Sequence, residues 1–339
     1  MKTSFMILAI LVGQLLHAGD GRGEAGWMFL KVPLGARETS LGWTGLTHTS
    51  GAAAIYWNPA NVSRVDGPTA SLSYLNHFAG IRSNYVAATY PVKESFVLGI
   101  SINYMNYGDF VRTTETSPDG GIGTFTPYDL ALGVTFSRPI MKKLHAGLTA
   151  KYLHSKIDKV TASGLSFDFG LAYDVGMRGL RIGMTVSNAG PSSRYGGSGL
   201  VQTVTDPVSG SQSQVRYGST AFELPTSLAI GASGDMYRNE ENVVTGMIEQ
   251  NVNSAQVDRT NFGVEYGYRD MFFGRVGYTT AFQRDKDFRS GKAAWGGFTA
   301  GVGAVYSVSE TLKGNIDYGF VNLGENLGSA HRFTVGVAF

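Results

Sequence analysis

The sequence predicts an all-β protein: a single antiparallel transmembrane β-barrel of about fourteen strands with an N-terminal hatch inside its lumen. Three observations predict it. Past Val65, large apolar residues alternate with small or polar ones at period 2. Most of the alternating segments hold ten or more residues, as a tilted membrane strand requires, whereas soluble strands usually hold about five or six. An export leader precedes these segments, and the aromatic Phe339 closes the last of them.

The leader is residues 1–18. Lys2 supplies a small positive start, Phe5 to Leu16 is an apolar run, and Leu16-His17-Ala18 is a passable cleavage site. The run is too short to cross a membrane and is followed by the polar Gly19-Asp20-Gly21-Arg22-Gly23-Glu24, so it reads as a secretory signal peptide. No later stretch approaches the ~20 apolar residues of a transmembrane helix. The mature chain is therefore expected to be exported, and either soluble or a barrel.

Residues 19–66 are expected to form the hatch. Their centre, Gly35 to Asn61, is rich in Gly and Ala, carries few charges, and ends in Ile55-Tyr56-Trp57-Asn58-Pro59-Ala60-Asn61. Proline suits the first helical position, and Asn58 before it is a candidate N-cap for a short turn through Asn61 and Val62. Taken alone, the stretch reads equally as the N-terminal loop and short helix of a soluble domain. The strands that follow favour a plug packed inside a barrel. Tyr56 and Trp57 then either contact an apolar ligand or fill the space between plug and wall. Arg37 is expected to pair with a lumen carboxylate such as Asp168 or Glu265.

The barrel is expected over residues 67–339, in segments 68–77, 82–91, 95–107, 123–138, 143–156, 161–175, 178–189, 222–234, 241–252, 258–268, 271–281, 293–308, 311–320 and 329–339. In the third, Leu98, Ile100 and Ile102 share one face and Gly99, Ser101 and Asn103 the other. The second is thin in large apolar residues, and the ninth is ambiguous in register. In a soluble sandwich the apolar face is core. In a membrane barrel it faces lipid and the polar face lines the lumen. Leu148 is expected to face lipid and its neighbour Thr149 the lumen, where an arginine should be much better tolerated. An even count and aromatics near strand ends also suit a bacterial barrel.

Links alternate between short ones, such as Arg269-Asp270, and longer ones at 108–122, 190–221, 253–257, 282–292 and 321–328. That alternation predicts tight periplasmic turns, long outer loops, and both termini on the periplasmic side. The link 190–221, rich in Gly, Ser and Gln, reads as a flexible outer loop or a partly ordered lid. Phe339 resembles the C-terminal signal read by the bacterial outer-membrane assembly machinery.

Composition narrows the chemistry. Only 16% of the residues are charged, 12% are aromatic, and the net charge is +2, so nothing suggests a nucleic-acid partner. With no Cys there is no disulfide scaffold and no thiolate metal site. The six His show no metal-ligand spacing. His154 and Ser155, adjacent in one strand, point to opposite faces and cannot form a nucleophile–base pair with each other. Lys151, Asp168, Asp174, Arg181, Glu265, Arg275, Lys313, Asp317 and Arg332 fall on the predicted lumen face. A catalytic dyad among them is the weaker reading, and mutual pairing that holds the plug and solvates the lumen is the stronger. Gly120-Gly121-Ile122-Gly123 and Gly296-Gly297 lack the following helix that a phosphate loop needs. No catalytic residue, cofactor or metal is expected.

Gly35-Ala36-Arg37, Gly42 and Ala52-Ala53-Ala54-Ile55-Tyr56-Trp57-Asn58-Pro59-Ala60 resemble the N-terminal hatch of the FadL-like outer-membrane barrels. The Tyr-Trp-Asn-Pro-Ala form looks most like the PorV/PorQ branch. This chain departs from the family pattern in having Thr49-Ser50-Gly51 where acidic residues are typical, and Asn61 where Gly is typical. Asn tolerates the left-handed conformation that such a Gly serves. By the resemblance, the expected role is help with protein export of the type IX kind, with secretion components or exported proteins as partners. The alternative it implies is passive passage of hydrophobic small molecules through the hatch and an opening in the barrel wall. Outer-membrane lipid and the assembly machinery are expected partners in either case.

Overall fold

The computed structural model describes residues 25–92, 95–282, 297–307, 309, 311–324 and 328–339. The leader, residues 19–24, Gly296 and nearly all of the link 282–292 lie outside the described residues.

Fourteen strands form one closed antiparallel sheet. They are β1 Thr69–Asn76, β2 Arg82–Val92, β3 Phe96–Asn106, β4 Tyr128–Met141, β5 Leu144–Ile157, β6 Val160–Asp174 and β7 Arg181–Ala189, then β8 Ser227–Arg238, β9 Asn242–Asn253, β10 Asp258–Tyr268, β11 Phe272–Phe282, β12 Phe298–Ser307, β13 Lys313–Gly324 and β14 Gly328–Ala338. Each pairs with its neighbour in sequence, and β1 pairs with β14 from Thr69↔Ala338 to Asn76↔His331, which closes the barrel. Each of the fourteen expected segments coincides with one strand.

The boundaries that moved have local causes. The fourth strand starts at Tyr128, after Pro127, and Thr124–Phe125 instead pairs with Phe110–Val111 in a loop hairpin. The eighth starts at Ser227 because Pro225 lacks the N–H that a central strand donates. The thirteenth runs on to Gly324, so the expected long link there shrinks to 325–327; likewise 254–257 is short. The link 190–226 carries an exposed hairpin, Val201–Thr205 with Gln212–Arg216, and Gly196–Gly197 adds to the outer end of β6.

Alternation does what the sequence demands. Leu148 is 39% exposed on the outside, while Thr149 beside it is 1% exposed on the inside. Every strand places at least one large apolar side chain outward; Leu72, Ile100, Phe169, Ile230, Val276 and Val335 are examples from around the circumference. A continuous exposed apolar belt is far more than a soluble monomer tolerates and is the surface of a membrane barrel. No helix of the described residues is long and apolar enough to cross a membrane.

Residues 25–66 fill the bore. They fold into short pieces: α1 Ala36–Ser40, α2 Ala54–Trp57, and 3₁₀ turns at Met28–Lys31, Gly51–Ala53 and Pro59–Ser63. The segment threads the barrel from end to end. Ala25 bridges to Glu223 at the end that carries the long loops, whereas Gly67 lies against Phe339 at the tight-turn end. The expectation that both termini lie on the periplasmic side turns on residues 19–24, which lie outside the described chain. Its first residues lie at the loop end and its last at the other.

Candidate functional site

The site is the plugged bore, built in layers from the tight-turn end upward. The lowest is ionic. Arg37 of α1 grips Glu265 of β10 with two hydrogen bonds, Nε to Oε2 at 2.9 Å and Nη2 to Oε1 at 2.8 Å. Of the two carboxylates named from the sequence, Glu265 is thus the partner, not Asp168. Arg275 of β11 reaches Glu265 and Asp317 of β13, both at 2.6 Å, and Asn315 donates to Asp317. The result is one chain, Arg37–Glu265–Arg275–Asp317, tying the plug to three strands. His48 stands 3.5 Å from Glu265. Burial, with Arg37 beside it, holds the His48 pKa below the usual imidazole value.

The second layer is steric. The glycines that recur on the lumen face leave room for plug backbone. A Cβ on Gly277 would lie 1.9 Å from the Gly42 nitrogen, and one on Gly147 would lie 2.2 Å from the Pro59 carbonyl carbon. No side chain fits at either place with the plug seated.

Above it, wall side chains satisfy the plug's irregular backbone, which would otherwise be buried without partners. Thr299 accepts from the Gly42 N–H and donates to the Ser40 carbonyl, both at 2.9 Å. Thr279 donates to the Gly42 carbonyl at 2.9 Å. The Ala36 N–H donates to Thr334 at 2.9 Å, and the Leu46 N–H to Glu249 at 3.2 Å.

The opposite wall holds the Asn-Pro turn. Asn58 is fully buried. Its Oδ1 accepts from the Ala60 N–H at 3.1 Å, the expected cap, and its amide also donates to Leu46 and to Leu171 of β6, each at 3.1 Å. It therefore staples plug to plug and plug to wall. Pro59 opens the Pro59–Ser63 turn. Asn61 adopts no positive φ, so the left-handed role expected for it is not used; its amide donates to Leu46 at 2.8 Å. Arg64 pairs with Asp174 at 2.8 Å, and Arg181 approaches the same carboxylate at 3.4 Å. Lys151 pairs with Asp168 at 2.7 Å beside the plug. Arg332 is buried with no ion pair among the described residues, and Lys313 is exposed at the rim.

The loop-end face of the plug is apolar. Trp27, Phe29 and Leu30 pack with Met105, Leu153 and Leu224, and Phe222 meets Trp27 edge-on at 5.7 Å. Trp43 packs with Leu75, Val321 and Leu323, with Trp57 against them and the Arg259 guanidinium 4.9 Å over its ring. Tyr56 meets Trp57 edge-on at 5.1 Å and donates to the Leu30 and Val32 carbonyls, and Trp57 donates to that of Leu34. Next to this region the wall is irregular. The β6–β7 register shifts between Phe167 and Phe169, and β7 ends at Ala189 while β6 continues outward.

Glu38 escaped the sequence reading although it lies in the stretch singled out. Its buried carboxylate accepts from Thr49 at 2.9 Å, so the acidic group missing from positions 49–51 arrives from α1 instead. Burial pushes its pKa above the ordinary carboxyl value. Glu249 and Arg259 were missed because the register of the ninth segment was ambiguous and Arg259 sits at a strand edge.

Asn58→Ala should cost about 1–2 kcal/mol of local stability, the loss of a cap plus buried hydrogen bonds. Trp57→Ala should act in the same direction. Hydrogen exchange of the plug amides should quicken in both while strand amides keep their protection. Parent-like exchange in both variants would show that the turn does not hold the plug.

No protein-family model matches the chain, and no curated protein sequence matches it. Solved structures do. The toluene transporter TodX of Pseudomonas putida aligns over 89% of this chain and 96% of its own, with 15% identity and a TM-score of 0.57. The toluene transporter TbuX of Ralstonia pickettii aligns over 90% and 97%, with 16% identity and a TM-score of 0.53. A FadL homologue of Pseudomonas aeruginosa aligns over 91% and 98%, with 10% identity and a TM-score of 0.54. The fold is one shared with these proteins. Likeness to the PorV/PorQ branch in particular finds no support among them, and two of the three are named as transporters.

Proposed function

We propose that this protein is an outer-membrane channel for the passive passage of hydrophobic small molecules. The observation that carries this reading is the interior of the barrel at the loop end. A porin lumen is polar and water-filled. Here the bore is closed by a plug whose loop-end part buries Trp27, Phe29, Leu30 and Trp43 among apolar wall residues. A greasy solute that parts this packing meets apolar side chains, whereas an ion would lose its hydration there without compensation. The irregular pairing near Phe167 and Asn188 supports a sideways exit into the membrane at this place. Arg37, Tyr56, Trp57, Asn58 and Pro59 hold the gate, and the ion pairs of Lys151, Asp168, Asp174, Arg181, Glu265, Arg275 and Asp317 anchor it. In this reading the tight turns face the periplasm and Phe339 serves assembly. The fold-level neighbours support it, since those named are hydrocarbon and FadL-type channels. Assistance to protein export rests only on the Tyr-Trp-Asn-Pro-Ala likeness, and none of the structures named above is a secretion protein.

Trp27, Trp43 and Trp57, three of the four tryptophans, lie in the plug, so emission reports on it directly. A brominated hydrocarbon titrated into the purified barrel should quench that emission saturably. Cells making the protein should take up toluene faster than cells lacking it. No quenching together with equal uptake would overturn the reading.

A further inference from the structure

The outer wall carries an open groove, away from the bore. Near the tight-turn end the outward positions of β8 and β9 are Ala232, Gly234 and Gly246, and Gly234 pairs directly with Gly246. At these positions the two strands contribute no large side chain of their own, and neighbouring side chains lean into the gap. Ile248, Phe262 and Val264 wall one side of this notch, and Met177 and Leu180 of the turn 175–180 wall the other. Met236, at the bulge between Asp235 and Tyr237, folds over Gly246, its sulfur 3.0 Å from where a Cβ would stand, and Leu180 lies over Gly234 at 3.5 Å, so the open groove runs between these two side chains and Ile248, Phe262 and Val264. The groove encloses about 920 Å³ and is open along its outer side.

Its charged lining is Arg178 and Asp235. Asp235 is already matched, by Arg238 at 2.7 Å and the Thr245 hydroxyl at 3.1 Å. Arg178 is exposed and its side chain has no hydrogen bond or ion pair to any described residue. Its carbonyl accepts from the Asp235 N–H at 2.8 Å, which fixes the turn against β8. A chain of methylene groups matches the apolar notch, which opens onto the membrane. An anionic head matches the one unpaired cation at its rim, and a guanidinium suits phosphate oxygens well.

We propose that this groove binds one phospholipid of the adjacent leaflet, with an acyl chain along Ile248, Phe262 and Val264 and the phosphate on Arg178. The proposal rests on the barrel standing in a membrane. It is independent of what passes through the bore.

The test is native mass spectrometry after reconstitution into vesicles of phosphatidylethanolamine and phosphatidylglycerol and extraction in mild detergent. The parent should retain one phospholipid. Gly246→Leu pushes the flexible Met236 thioether, 3.0 Å from the Cβ position, out into the groove and so blocks it. Arg178→Glu reverses the rim charge. Each should reduce the retained fraction about tenfold or more, the scale of one charge-assisted contact. Gly274→Leu is the control, an outward glycine of β11 with nothing within 4 Å of its Cβ position; it should retain lipid like the parent. Equal retention in all four proteins, no retention in the parent, or a lipid-free dimer seated on the groove would each overturn the proposal. A boiling-dependent gel shift, read on every variant, separates loss of the site from loss of the barrel. A parent that shows no such shift removes the membrane reading itself.

Discussion

Arg275→Ala is expected to lower the stability of the plugged barrel by about 3–5 kcal/mol, the usual cost of removing one partner from a buried ion pair. The side chain is 3% exposed and is the hub between Glu265 and Asp317, themselves 6% and 5% exposed. Without it, two carboxylates remain enclosed in one layer. Arg37 still compensates Glu265, but Asp317 keeps only the Asn315 amide. The measurement is the denaturant midpoint for loss of the heat-modifiable folded form. A triple variant, Arg275→Met with Glu265→Gln and Asp317→Asn, should recover much of the loss, because no uncompensated charge is left. An unchanged midpoint in Arg275→Ala would show that the network does not hold the interior together.

Gly277→Val is expected to unseat the plug from an intact barrel. Its Cβ would fall 1.9 Å from the Gly42 nitrogen and 2.2 Å from the Leu41 carbonyl carbon, and both are backbone atoms that cannot swing aside. Overpacking of this kind costs about 1–3 kcal/mol or more. β11 itself accepts valine readily, so the strain falls on the plug. Side chains alone fill a barrel of about eight strands, and fourteen leave a gap. In planar bilayers the variant should conduct ions steadily where the parent is closed. Gly274→Val, on the outer face, should stay closed. A closed Gly277→Val barrel would mean that something other than the seated plug blocks the bore.

The strand faces were legible because period 2 leaves no choice once one face is apolar: Leu148 and Thr149 fall where the alternation puts them. What the alternation does not carry is how full the interior is. Thr149 was expected to tolerate arginine in a roomy lumen. It is instead enclosed, hydrogen-bonded to Thr135 at 2.8 Å, so arginine there meets a packed interior. The ion pairs were legible in part. Glu265 and Arg275 lie directly opposite each other across the hairpin at 269–271, a pairing that turn position alone fixes. Asp317 is two strands further round, and its approach to Arg275 depends on barrel curvature, which no local pattern encodes. The notch at Gly234 and Gly246 was invisible for a similar reason: it needs the register of β8 against β9, and the sequence left the ninth segment ambiguous.

The threaded plug also constrains how this chain assembles. Thirteen of the strand pairings join neighbours in sequence, and each can zip locally from its hairpin. The remaining seam joins Thr69 to Ala338, so it must wait for the ends of almost the whole chain to meet, the kind of non-local contact that slows folding. Thr334 lies on that seam. Its hydroxyl takes the Ala36 N–H of the plug and gives its own hydrogen to Ser73 across the join, at 3.1 Å. A plug bonded there before closure brings β1 and β14 into register and is enclosed as they zip. The segment that blocks the finished bore is then also the mandrel around which the wall is wound.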